Sequence, residues 1–236
     1  MFGIEKPEFI LSNDLNLKDD VPLCESCMFG TSTRTQQRTK GDKSGSARGG
    51  NGNKPGAAVS VDQIQSAQPG LVPEVPVKLI SALIWAAQVM VDQFIGLTYL
   101  HLIISTSQEE NQLGKADFEI WSAIFVVKIN RYHEENGRFS EQPFRSEIED
   151  SKLTIKFCGV GSHHQNAIFE RKIQTLTLGS GIFLVHAKVY CPEEITTILC
   201  TYVPKNFSET LNEVKVDDNG NTPMEKFAGR IKDINL

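Results

Sequence analysis

Asp62 lies in VSVDQIQ (59–65), flanked by Val59, Val61 and Ile64. An acid in the middle of an apolar strand is costly unless it finds a partner, and a divalent cation is one such partner. Two further acids can join it. Glu134 and Glu135 close a strand in HEENGRF, where Asn136-Gly137 supplies a turn. Glu170 sits in HHQNAIFERKI (163–173), 35 positions after Glu135. Ser162 and Gln165 fit a helix capping box there, which puts Phe169, Ile173 and Leu176 on one apolar face. His163, Asn166, Glu170 and Gln174 then share a polar face. A helix held by its apolar face can present Glu170 to a groove, so carboxylates from two strands and one helix could converge on a metal ion. The plainer alternative is a solvated helix start.

The elements that must do this positioning are legible as periodicities. Residues 57–64, 82–94 and 96–105 read as strands of a meander, with Gly96 marking a tight turn. In 107–125, Leu113, Ala116, Ile120, Ala123 and Ile124 fall at helical spacing behind an acidic first turn, as the helix dipole favours. Residues 126–132 return to strand, 138–150 read as helix and 152–157 as a short strand. The helix capped by Ser162 follows, and Pro192 with two acids behind it marks a last helix over 191–202. The order β-β-β-α-β-α-β-α-α predicts one α/β domain, a mixed sheet covered by helices. His101 and His186, in apolar surroundings, read as core histidines. Asp92, after the second strand, reads as a structural hydrogen-bonding acid.

The chain has 236 residues, 40% hydrophobic and 22% charged, with a formal net charge of −5. That charge argues against a uniformly basic nucleic-acid binder, although phosphate attraction depends on where the charges sit. Residues 31–56 carry Arg34, Arg38, Lys40, Lys43, Arg48 and Lys54 against one acid, Asp42, in a Gly/Ser-rich stretch that reads as a flexible basic linker. No apolar run approaches the roughly 20 residues of a membrane span. The start, MFGIEKPEF, lacks the features of a secretory signal, so Cys24, Cys27, Cys158, Cys191 and Cys200 are expected as reduced thiols in an intracellular protein.

VSVDQIQSAQPGL, the ENGRFSE element and FCGVGSHHQNAIFERKI, in that order over about residues 58–203, resemble the integrase core of Ty1/copia-type retrotransposons. The 35-residue spacing matches the D,D-35-E pattern of such integrases. The resemblance implies an RNase H-like fold, a five-stranded mixed sheet with helices on both sides. It assigns the catalytic, Mg2+-binding (or Mn2+-binding) acids to Asp62, Glu135 and Glu170. DNA end processing and strand transfer would follow, with DNA as partner, a homo-oligomer as the working form, and neither a small-molecule substrate nor a membrane involved. His163, His164, Asn166, Arg171 and Lys172 become candidate DNA contacts, because amides and cations supply donors to phosphate oxygens. The resemblance also implies work in the nucleus or in a virus-like particle.

The match departs from its family at informative places. The family has Asp where Glu135 stands. One added methylene moves the carboxylate by about 1.5 Å, whereas Mg2+ demands near-ideal octahedral ligation and catalytic groups tolerate about 0.5 Å. Impaired catalysis is therefore expected. Ala167 replaces a usual Gly, YCPEE replaces an aromatic-Trp-Pro-Glu element, and Cys200 replaces a common Trp. Cys24 and Cys27 in CESC fit the end of a His-His-Cys-Cys zinc module, but no histidine precedes them. They make a vestigial half site, zinc is not expected, and the chain reads as a piece of a polyprotein. The domain reading is a zinc-module remnant over 1–30, linker over 31–57, catalytic core over 58–212 and a disordered polar tail over 213–236. The competing reading is a nucleic-acid-binding or self-associating module that performs no phosphoryl transfer.

Overall fold

The computed structural model describes residues 53–70, 84–134, 146, 148, 151, 153–157, 167–193, 199 and 201–230. Five strands, β1 (Val59–Gly70), β2 (Ile84–Asp92), β3 (Thr98–Ile103), β4 (Arg131–Glu134) and β5 (Thr154–Phe157), form one sheet in the order β3-β2-β1-β4-β5. The first three run antiparallel, and β4 and β5 join parallel to β1. The mixed sheet flanked by helices agrees with the architecture expected from the order of elements.

Helices α1 (Gln108–Ile124), α2 (Ala167–Tyr190), α3 (Tyr202–Val214) and α4 (Pro223–Phe227) are built around it. Strand alternation assigns the two faces. Val59 and Val61 of β1, Met90 of β2 and Tyr132 of β4 point to one side, into a core with Phe118 of α1, Ile129 and Ile148. Ala87, Val89, Val91 and Leu100 point to the other, where Phe169 and Leu176 of α2 complete a second core, with Ile173 and Phe207 packed on it. The apolar face expected of the 163–176 helix is thus the one it buries.

Helix α1 forms where its spacing predicted, capped by Ser107, whose side chain accepts from the Glu110 amide. The stripe that marks it in sequence is nevertheless not the face it buries. Asn111, Gly114, Lys115, Phe118 and Ser122 go inward, while Leu113, Ile120 and Ile124 stay out. Gly114 explains the close approach, since a Cβ there would lie 2.0 Å from Gln88 Oε1 on β2. Lys115 is buried because Glu119 pairs with it at 3.3 Å, and the Tyr132 hydroxyl donates to the same Glu119 carboxylate at 2.9 Å. The helix ends at Ile124 with Phe125 as its C-cap, and Val126 just beyond is held at φ 60°, a left-handed conformation that β-branched residues rarely adopt.

Three expectations are corrected. The described part of 191–202 is not the expected α-helix: residues 192 and 193 form a turn, residue 199 is in a 3-10 turn, 194–198 and 200 lie outside the described residues, and α3 begins at Tyr202. Helix α2 instead runs on through Gly179, where a Cβ would meet the Phe207 ring of α3 at 1.9 Å. The segment expected as a disordered tail contributes α4, started by a capping box in which Thr222 and Glu225 satisfy each other's amides. Phe227 of that turn is buried and stacks on Trp121 of α1. His186 is exposed rather than in the core, and His101 is half-buried and paired with Asp117 at 3.0 Å. Most of the helix expected over 138–150 lies outside the described residues, where only 146 and 148 are helical.

Candidate active site

Asp62 pairs with Val89 across β1 and β2, so its side chain points to the α2 side of the sheet, as do Ser60 and Ile64. It is half-buried, and the Gln63 amide donates to Asp62 Oδ1 at 2.7 Å. Glu170 directly follows Phe169, whose ring is buried against the same sheet face, and is itself half-buried. The fold therefore brings the first and last predicted acids to one side of the sheet, on a central strand and on the helix that covers it. Glu135, His163, His164, Asn166, Cys24 and Cys27 lie outside the described residues, and among the described residues no three His, Cys, Asp or Glu side chains are grouped closely enough to hold a metal ion.

Beneath Asp62, on the same side, Gln93 Nε2 donates to Ser60 Oγ at 2.9 Å and lies 3.0 Å from His133 Nδ1. Ser60 and His133 are partners across the parallel β1–β4 pair. Burial, then the positive charges of Arg131 and Lys156, hold the His133 pKa below the usual histidine value. The neutral ring, accepting at Nδ1, ties the end of β4 to the strand that carries Asp62. Sequence reading missed this layer, because a His, a Gln and a Ser far apart in the chain carry no shared spacing.

Glu134 was visible in sequence as the neighbour of Glu135, but its environment was not. It shares Tyr132's side of the sheet, is fully buried, and neither carboxylate oxygen has a hydrogen-bond partner among the described residues. Burial first, and then the negative charge of Asp62, push its pKa up to about 9. At neutral pH it is a protonated acid, a charge neighbour of Asp62 rather than an open carboxylate. Asp92 has the structural role expected of it: buried at the end of β2, it accepts from the amides of Gly56 at 2.7 Å and of Phe94 and Ile95 at 2.9 Å. Desolvation raises its pKa, and those three amides oppose the shift.

The two described DNA-contact candidates differ. Arg171 is exposed on α2. Lys172 is half-buried and lies over the β2–β3 turn, its Nζ 3.4 Å from where a Gly96 Cβ would sit. Burial, then repulsion from Lys215, lower its pKa to about 8.

The donor chemistry on the α2 side fits a hard divalent cation: Asp62 and Glu170 offer carboxylate oxygens, the ligands Mg2+ and Mn2+ prefer. The pair needs additional oxygens, from a third acid, water or phosphate, to complete an octahedral set.

No protein-family model matches this chain, and no curated protein does. Solved structures do. A chain of the simian T-cell lymphotropic virus intasome, in complex with the PP2A regulatory subunit B56 gamma, is 12% identical with a TM-score of 0.56 over 75% of this chain. This chain spans 55% of that one, about half its length. The HTLV-2 integrase catalytic core domain in complex with magnesium, in its trimeric form, is 15% identical with a TM-score of 0.51, covering 75% of this chain and 99% of its own. The chain has the fold of an integrase catalytic core.

Proposed function

We propose that this chain is a polynucleotidyl-transferase core of the Ty1/copia retrotransposon type, acting in DNA integration with Mg2+ or Mn2+ and impaired by Glu135. The observation that carries this reading is the placement of Asp62 and Glu170 on one side of an integrase-like sheet. A divalent cation bound there would polarise the phosphate under attack and steady the leaving oxygen. Asp62 and Glu170 would hold it, with Glu135 as the third acid. Ser60, Gln93 and His133 keep the end of β4 in register beside Asp62, and Arg171, exposed on α2, would contact the DNA backbone. The working form is a homo-oligomer on DNA, in the nucleus or a virus-like particle.

The test is a strand-transfer assay on labelled DNA ends with Mg2+ or Mn2+. Glu135→Asp is expected to raise turnover, and Asp62→Asn or Glu170→Gln to return it to background. The competing reading is a nucleic-acid-binding or self-associating module that performs no phosphoryl transfer. DNA binding without turnover in every variant, Glu135→Asp included, would establish that module instead.

A further inference from the structure

Three small residues, Ala87, Ser180 and Gly181, border a cavity of about 260 Å³ between α2 and the sheet. Its floor is one cross-strand row: Ile64 pairs with Ala87 and Ala87 with Leu102, which sets the short Ala87 between two long neighbours. Over this row, Leu176, Ser180 and Leu184 follow one another at helical spacing on α2. A Cβ added at Gly181 would meet nothing within 4 Å. Thr201 and Pro204, at the start of α3, form another wall.

Two hydroxyls that line this cavity have no hydrogen-bond partner among the described residues. Ser180 and Thr201 are each only 5% exposed, and neither Ser180 Oγ nor Thr201 Oγ1 is paired. A hydroxyl inside a helix ordinarily bonds back to a carbonyl of the preceding turn, as Thr175 of the same helix does to Arg171. An N-cap threonine ordinarily accepts a helix amide, but Thr201, at the N-cap of α3, makes no such bond. Burying an unpaired hydroxyl is costly, so both are set to receive a hydrogen-bonding group that enters the cavity. The described lining carries no charged side chain. An ionic ligand would lose its hydration there without a counter-charge.

We infer that this cavity binds a small, neutral, mainly apolar molecule that brings one hydroxyl or carbonyl group to Ser180 and Thr201. An apolar cavity of about 150 Å³ accepts benzene, so this volume suits roughly ten non-hydrogen atoms, a ring with a short substituent. Apolar walls with a few placed polar atoms are the usual make-up of a ligand site. The exposed Gln65 and Thr177 mark its mouth. Ile64 follows Asp62 by one step on the same face of β1, so the cavity adjoins the Asp62 and Glu170 pair and includes neither acid. The inference goes beyond the proposed function and does not depend on catalysis.

The experiment is a methyl-detected NMR titration of the full chain with 4-ethylphenol. Saturable shifts are expected at Ile64, Ala87, Leu102, Leu176 and Leu184, with a Kd on the order of 0.1 to 1 mM for a ligand of this size. Gly181→Leu fills the open space and should weaken binding at least about 10-fold while melting no lower than the wild type, leucine being the better helix former. Ser180→Ala/Thr201→Val should weaken 4-ethylphenol about 10-fold, the worth of a hydrogen bond, and leave 4-ethyltoluene, the same shape without the hydroxyl, unchanged. That variant loses only unpaired hydroxyls, so it decides the matter even if Gly181→Leu does not fold. No saturable shift up to about 10 mM, the mark of a cavity that holds water only, would overturn the proposal. So would shifts saturating elsewhere, a folded Gly181→Leu chain that binds like the wild type, or a double variant that treats the two probes alike.

Discussion

On the α1 side of the sheet, Glu119 takes the Tyr132 hydroxyl and Lys115, and Glu134, two residues beyond Tyr132, has neither kind of partner among the described residues and keeps its proton at neutral pH. On the α2 side, Asp62 and Glu170 are half-exposed, and the polar groups beneath them, buried Ser60 and His133 and half-buried Gln93, are joined in one network. The low-dielectric interior explains the contrast, since it strengthens a satisfied polar group and penalises an unsatisfied one. An acid facing α1 must be paired or neutral. Among the described residues, the α2 side is where carboxylates, those of Asp62 and Glu170, stand half-exposed without being closed into the core.

The sharpest way to break this comparison is through pH. Glu134 has a folded pKa of about 9 against 4.5 for the free side chain. A raised folded value contributes stability that is complete below pH 4.5 and is lost as pH climbs toward 9, at about 1.4 kcal/mol per unit. Glu134→Gln should remove that slope and stabilise the protein by several kcal/mol at pH 8, on the order set by the same linkage. Urea melts from pH 5 to 9 decide it, and a slope surviving in the variant would mean Glu134 is not buried as described. His133 works in the opposite sense. Its folded pKa is depressed, so its contribution is present above pH 6.5 and is lost on acidification. NMR titration should find its midpoint below that of a free histidine.

Smaller effects test the packing of each side. Gly114→Ala forces a Cβ onto Gln88, and overpacking of this kind should cost about 2 kcal/mol in thermal or urea melts. Tyr132→Phe removes the hydroxyl donated to Glu119 and should cost about 1.5 kcal/mol, typical of a hydrogen bond to a charged group. Val126→Gly relieves the left-handed backbone and should gain about 1 kcal/mol. A loss there would show that the Val126 side chain contributes more packing than its exposure suggests.

Much of the fold was readable because it is written in local periodicity. The meander followed from alternation, and observed strands Ile84–Asp92 and Thr98–Ile103 lie within the expected segments. Phe169, Ile173 and Leu176 were recognisable as a buried face from spacing alone, and Asp92 as a structural acid. The helix expected at Pro192 failed because an N-terminal signature is a local preference. It competes with a long α2 whose Gly179 admits the Phe207 ring. The capping box Thr222-Pro-Met-Glu225 was equally local and could have revealed α4 within the supposed tail.

Residue order determined where strands and helices form, and placed Asp62 on a strand and Glu170 on a helix with a buried apolar face. It could not determine which side of α1 meets the sheet. Leu113, Ile120 and Ile124 satisfy the same periodicity whether they face a core or a partner, and the choice fell to Gly114, whose missing side chain lets the helix close on Gln88. Nor could it separate Glu134 from Glu135. The desolvation that turns Glu134 into a protonated acid exists only once α1 and the sheet have closed around it.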